Sequence, residues 1–166
     1  MSEIFGQHRQ DLNEVRRLCL ICHGLDLTSD KLFSDSTYNE KLSITRGIFQ
    51  NLVSSSILSL AVSIRINLYQ NNFKDIANVD LSHCAHYYSH SNMKQKEISI
   101  KDVCDKIIHA NDFFKNAFPK ELNLGEHKVW SQFNGVHRKE NWTLNISVEH
   151  FVEAVLNYLD VIEDQA

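Results

Sequence analysis

The chain has 166 residues, of which 43% are hydrophobic and 23% charged, and its formal net charge is −4. This composition is typical of a globular protein and excludes a disordered or fibrous chain, and the length predicts one domain, residues 1–166. Because nucleic-acid binding relies on clusters of lysine and arginine, the acidic balance excludes a general nucleic-acid coat protein. One proline and five glycines favour long helices over a many-turned β structure.

The first predicted helix runs from residue 3 to about residue 23, where apolar positions recur at helical spacing and Gly24 is a ready helix end. Residues 25–36 are predicted to form a loop. Residues 19–23 match the CxxCH pattern of covalent haem attachment. Both cysteines lie at the centre of the apolar stripe, however, and small thiols are common in protein cores. We therefore expect core cysteines and no haem.

The N-terminal 15 residues lack an apolar core of the length that a signal peptide needs, and no stretch is a clean membrane-spanning run. We therefore expect a cytoplasmic protein without a membrane partner. Cysteines in such a protein are thiols or metal ligands more often than disulfides.

The second segment opens with the capping-box residues Thr37 and Glu40 and runs to about Gln70. Residues 57–69 alternate in polarity like a strand, but they also continue a helical stripe, and no turn signal divides the segment. Its length favours a helix, and its serines predict close packing with another helix. The helical stripe consists of Ile44, Ile48, Leu52, Ser55, Ser59, Val62, Ile66 and Tyr69.

A histidine-rich stretch follows at residues 80–90. If it were helical, His83, His86 and His90 would share one face, a spacing that can bring imidazoles onto one metal ion. Cys19 and Cys22 would then complete the site in a metal-binding sensor. Hydrogen-bonded histidines without a metal are the simpler interpretation, and we expect neither a metal nor another cofactor.

The central predicted helix runs from Ser99 to Lys115. Ser99 and Asp102 have the spacing of a capping box, in which each side chain bonds a free amide of the first turn. One face is apolar and should be buried, namely Ile100, Val103, Ile107, Ala110 and Phe114. The opposite face is polar, namely Asp102, Asp105, His109 and Asp112. On that face Asp105 and His109 are one turn apart, close enough to contact.

At these residues the chain resembles the HEPN superfamily of helical toxins, abortive-infection proteins and defence ribonucleases. The signature of that family is an arginine, a polar residue, a few variable residues and a histidine on one helix, and two copies meet in a dimer that cuts RNA without a metal. Asp105 matches the polar residue and His109 the histidine, whereas Cys104 stands at the arginine position.

The resemblance implies a homodimer that acts on RNA, as a metal-independent endoribonuclease or a degenerate RNA-binding relative, in a toxin or defence context. His109 would be the general acid-base or would stabilise the leaving 5′ oxygen, and Asp105 would orient it. Lys106 and Lys101 would contact phosphate in place of the arginine. Because Cys104 cannot bind an anion as arginine does, the alternative is a non-enzymatic interaction or assembly protein whose partner the sequence does not identify.

The C-terminal part predicts a β-hairpin over residues 127–146 and a closing helix over about 148–163. Asn134-Gly135 is a hairpin turn signal. A longer loop through Arg138 and Lys139 would instead bring Trp130 opposite Trp142. The fold expected from the whole chain is a mostly α bundle of four or five helices with this small hairpin.

Overall fold

A computed structural model describes residues 12–32, 43–71, 78–117 and 129–164, and the fold is given for these ranges. They form four helices, α1 (Leu12–Leu32), α2 (Ser43–Asn71), α3 (Ile100–Ile108) and α4 (Val148–Asp164). They also form five strands, β1 (Ala85–Ser89), β2 (Gln95–Lys96), β3 (Asp112–Ala117), β4 (Val129–His137) and β5 (Glu140–Ile146). The Thr37 and Glu40 capping pair and the predicted helix start at residue 3 lie outside these ranges.

The strands form one antiparallel sheet in the order β2-β1-β5-β4-β3. The predicted helical bundle with a small hairpin is therefore wrong, because a five-stranded sheet makes this a mixed α/β fold. The fold that the HEPN resemblance implied is wrong for the same reason. The hairpin predicted at the C-terminus exists as β4 and β5, but β1 and β3 extend it on both sides.

The central helix is shorter than predicted. Its capping box is present, with Ser99 accepting from the amide of Asp102 and the Asp102 carboxylate accepting from the amide of Ser99. The helix ends at Ile108, and residues 112–117 form β3, which pairs along its whole length with β4. The expectation of a helix to Lys115 is thus wrong, because the backbone groups of these residues bond a strand more than ten residues away in sequence.

The first helix continues past Gly24 to Leu32, so the predicted helix end at Gly24 is wrong. The predicted loop over residues 25–36 is wrong for residues 25–32, and its remaining residues lie outside the described ranges. No atom of the described ranges lies within 4 Å of a Cβ added at Gly24, so the glycine meets no close packing from them. The buried face of α1 runs from Val15 through Cys19 and Cys22 to Asp26. Tertiary burial on both sides of the glycine therefore overrides its weak helix propensity.

Residues 57–69 are helical throughout, as the length of their segment predicted. The buried face of α2 is not the stripe expected from the sequence, however, and consists of Val53, Ile57, Leu60, Ala61, Ile64 and Leu68. In the part of the chain that the structure describes, Gly47–Tyr69 is the one helical segment long and apolar enough to cross a membrane, and 33% of its 18-residue apolar window is buried. The same length and composition occur in core helices of soluble proteins.

The four cysteines are free and buried in the hydrophobic core, as predicted for Cys19 and Cys22. Burial raises the pKa of the Cys19 thiol and of the Cys84 thiol to about 12, and it also raises the pKa of Cys104. Thiolates, the nucleophilic form, are therefore scarce at neutral pH.

We expect the thiols of the folded protein to react slowly with a water-soluble thiol reagent. At pH 8, which is well below the raised pKa values of Cys19 and Cys84, we expect reaction with a dithiobis-nitrobenzoate reagent to be at least about 100-fold slower than in the denatured chain. Absorbance of the released product measures both rates. Fast labelling of two or more thiols in the folded protein would contradict the buried placement.

The turn between β4 and β5 lies at Arg138 and Lys139, which both have positive φ, 48° and 68°. Two such residues between paired His137 and Glu140 form the two-residue hairpin turn whose twist suits antiparallel strands. Asn134-Gly135 is therefore not the turn. The placement of Trp130 opposite Trp142 is also wrong: Trp142 pairs with Gly135, and Trp130 pairs with Asn116 of β3.

Candidate active-site cleft

A cleft of about 500 Å³ opens between α3 and the β4–β5 hairpin. Among the residues that the structure describes, seven line it, namely Asp102, Asp105, Lys106, His109, Val136, His137 and Trp142. Four come from α3 and its C-terminal cap, and three from the hairpin. Residues distant in sequence therefore meet here, and the cleft contains two imidazoles, one ammonium group and two carboxylates.

The cap and length of α3 position the first histidine. The Ser99–Asp102 box fixes the start of the helix, and its buried face packs into the core through Ile100, Val103, Cys104 and Ile107. His109 is the C-cap residue, and its amide donates to the carbonyl of Asp105 at 3.1 Å. Because the apolar face is held in the core, the His109 side chain is exposed on the cleft side of the helix.

Asp105 is the centre of an ion cluster. Nε of Arg65, on α2, donates to Oδ1 of Asp105 at 2.5 Å, and Nζ of Lys101 donates to Oδ2 at 3.2 Å. Both carboxylate oxygens are thus engaged by cations, and the role of Asp105 in orienting His109 stays a prediction. Through the ion pair between Arg65 and Asp105, the cluster connects α3 to α2 at the edge of the cleft.

Lys106 lies between two aromatic rings. Its Nζ is 4.6 Å from the ring centroid of Tyr87 and 4.7 Å from that of Trp142, and the two ring centroids are 6.1 Å apart. A cation over a ring face is attracted by the quadrupole of the ring, by about 0.5–2 kcal/mol. The rings therefore hold the positive charge of Lys106 at the cleft.

The second histidine, His137, was not among the residues predicted from sequence. It ends β4 just before the Arg138-Lys139 turn, and its side chain is exposed at the cleft. Arg138 and Lys139, which form the turn after it with positive φ, are not the Asn, Asp or Gly residues that mark such turns, so no local signal in the sequence indicated that the strand ends there. Trp142 enters the cleft because Gly135, opposite it, has no side chain: a Cβ at Gly135 would lie 2.2 Å from Cζ2 of Trp142.

Three of the predicted site residues, Asp105, Lys106 and His109, therefore line one cleft. Lys101 reaches it only through its bond to Asp105. Cys104, at the arginine position of the family signature, is fully buried and faces the core. The arginine near this site comes instead from α2, as Arg65, which no motif on α3 could reveal.

The histidine-rich stretch is not helical: His86 lies in β1, His83 precedes that strand and His90 follows it. His86 Nδ1 lies 2.6 Å from Nε2 of Gln95, and His90 Nε2 lies 2.8 Å from Oγ1 of Thr143. Cys19 and Cys22 are buried on α1. Across the described ranges, no group of three or more His, Cys, Asp or Glu residues has the arrangement of a metal site. The hydrogen bonds expected for these histidines are present at His86 and His90.

Comparison of the chain with protein-family models, with curated proteins and with solved structures finds no significant match.

Proposed function

We propose that this protein is a metal-independent endoribonuclease whose active site is the cleft between α3 and the β4–β5 hairpin. One observation carries the proposal: His109 and His137, from different elements, line the same cleft with Lys106. Histidine is the side chain best suited to accept and donate protons near neutral pH. The proposal rests on this shared lining of one cleft and not on the family resemblance, whose implied fold is wrong.

The reaction uses the 2′-hydroxyl of RNA as its nucleophile. The 2′ oxygen forms a bond to phosphorus while the bond from phosphorus to the 5′ oxygen breaks. His137 accepts the proton of the 2′-hydroxyl, and His109, in its protonated form, gives a proton to the leaving 5′ oxygen. The products are a 2′,3′-cyclic phosphate and a 5′-hydroxyl. DNA lacks the 2′-hydroxyl and is therefore not cleaved.

Lys106 supplies the positive charge beside the reacting phosphate. Its Nζ lies at the cleft between Tyr87 and Trp142, and a fixed cation stabilises the charge that develops on the phosphoryl oxygens. Lys101 and Arg65 act indirectly, because both bind the Asp105 carboxylate. They neutralise a carboxylate that would otherwise repel the phosphate backbone.

The purified protein is expected to cleave single-stranded RNA in the presence of EDTA, because the proposed chemistry needs no metal. Gel analysis of an end-labelled oligonucleotide should show products ending in a 2′,3′-cyclic phosphate. The matched control is the same oligonucleotide with one 2′-deoxy residue, which should be resistant at that position alone. Cleavage at the deoxy residue, or no cleavage of any RNA tested, would refute the proposal.

A non-enzymatic interaction protein is the second candidate, and one observation favours it. Asp102 also lines the cleft, and a carboxylate there opposes phosphate binding. RNA affinity measured against salt separates the two candidates. Binding that weakens steeply as salt rises supports the ribonuclease, whereas no binding at low salt supports the interaction protein. A cytoplasmic location and a toxin or defence role accompany the first candidate as predictions.

A further inference from the structure

The stripe of α2 predicted from the sequence is exposed to solvent. Six large apolar side chains on it or at its edge are between 37% and 86% exposed, namely Ile44, Ile48, Leu52, Leu58, Val62 and Tyr69. Together they present on the order of 600 Å² of surface, which is at the upper limit for a monomer and close to the roughly 800 Å² that each partner buries in a standard interface. We call this surface, together with the exposed Ser55 and Ser59 and the half-buried Ile66 of the predicted stripe, the α2 stripe.

The α2 stripe carries no charge over its central part. Residues 47–64 contain no Asp, Glu, Lys or Arg, and Arg65, which follows them, is bound to Asp105. A surface that meets a copy of itself brings like charges together, and that repulsion opposes association. Because the central part of the stripe carries no charge, this repulsion is absent, and the surface is compatible with a second copy.

The order of residues along the α2 stripe is nearly symmetric about position 57. Four pairs are centred there or within half a residue, namely Ser55 with Ser59, Leu52 with Val62, Ile48 with Ile66, and Ile44 with Tyr69. In a two-fold contact residue i of one copy meets residue j of the other, and j meets i. Two antiparallel α2 helices centred at position 57 would therefore pair apolar with apolar and small with small residues.

The centre of the stripe suits a close approach of two helices. Ser55 and Ser59 have small side chains, and interaxial distance depends on the side chains at the crossing. Their hydroxyls are bonded within the helix, Ser59 Oγ to the carbonyl of Ser55 at 2.8 Å and Ser55 Oγ to the carbonyl of Leu52 at 3.2 Å. Covering them therefore leaves no hydroxyl hydrogen without an acceptor.

We propose that the α2 stripe binds a second copy of this chain, in an antiparallel two-fold contact centred between Ser55 and Ser59. The contact does not depend on the proposed chemistry of the cleft, since none of the cleft-lining residues belongs to the stripe.

Light scattering after size exclusion tests the contact on the full chain. The unaltered protein should have the mass of a dimer. Leu52→Glu should raise the dissociation constant at least about 100-fold, because each copy would bury a carboxylate against the apolar Val62 of the other. The matched control is Leu20→Glu, at an exposed position of α1, which should stay dimeric. A monomeric unaltered protein, or a Leu52→Glu variant that folds and stays dimeric, would overturn the proposal.

A cross-linking experiment tests the antiparallel register. Equal amounts of Leu52→Cys and Val62→Cys protein, mixed and oxidised, should form a disulfide between the two variants. Leu52→Cys alone should not, since the two copies of position 52 would be about 15 Å apart along the helix axes. The native thiols are buried and do not compete. Cross-linking of Leu52→Cys with itself to the same extent would exclude this register. If the unaltered protein is a monomer that sediments with phosphatidylcholine vesicles, the stripe binds a membrane and not a second copy.

Discussion

Alanine at His109 or at His137 is expected to slow RNA cleavage by about 10²–10⁴-fold, the usual contribution of a positioned acid or base. Both imidazoles are exposed at the cleft, so neither change removes a core contact and both variants should keep their stability. Initial rates on a fluorescent oligonucleotide in EDTA, with urea unfolding of each variant, measure the two effects separately. The double variant should be little slower than the slower single one, since the two groups act in one step.

The matched control for these variants is His83→Ala, because His83 is exposed and lies outside the cleft. It should retain the full rate. Added imidazole should restore part of the activity of His109→Ala and His137→Ala if the lost group transferred protons, and none if the loss were structural. Full activity in either single variant would remove that histidine from the mechanism.

Gly135→Ala is expected to destabilise the protein by about 1–3 kcal/mol through overpacking. An added Cβ would lie 2.2 Å from Cζ2 and 2.5 Å from Cε2 of Trp142, so the indole must move. Trp142 is buried and also contacts Lys106, and the same change should therefore weaken the hold on that ammonium group. Urea denaturation gives the free energy of unfolding, and tryptophan fluorescence reports the displaced ring.

Gly24→Ala is the matched control, since it is the same chemical change inside a helix, where no atom of the described residues lies within 4 Å of the new Cβ. It should stabilise the protein by about 0.5–1 kcal/mol, because alanine is the better helix former. Equal effects at the two glycines would contradict the close approach of Trp142 to Gly135.

Local signals in the sequence predicted several elements correctly. The Ser99–Asp102 box starts α3 where expected, and the helix predicted over residues 148–163 is present as α4. In both cases the deciding contacts join residues three or four positions apart, so they are visible in a short stretch of sequence. The helical state of residues 57–69 followed from length and the lack of a turn signal.

The sheet was missed because its contacts are distant in sequence. Residues 112–117 continued a helical pattern, but their backbone pairs with β4, and β1 pairs with β5 more than 50 residues away. Asn134-Gly135 matched a hairpin turn in the sequence, but the glycine is needed for a different reason, because a side chain there would collide with Trp142. A turn signal and a packing requirement look the same in sequence.

The sequence by itself determined that Ile100, Val103 and Ile107 of α3 face the core and that Asp105 and His109 share its opposite side, because helical periodicity alone assigns those faces. Only the tertiary structure brought His137 and Trp142 to the same cleft, and only it gave Asp105 its partner Arg65, 40 positions away. It also decided which face of α2 is covered. These outcomes depend on how separate elements pack, and the free energy of such contacts has no local pattern in the chain.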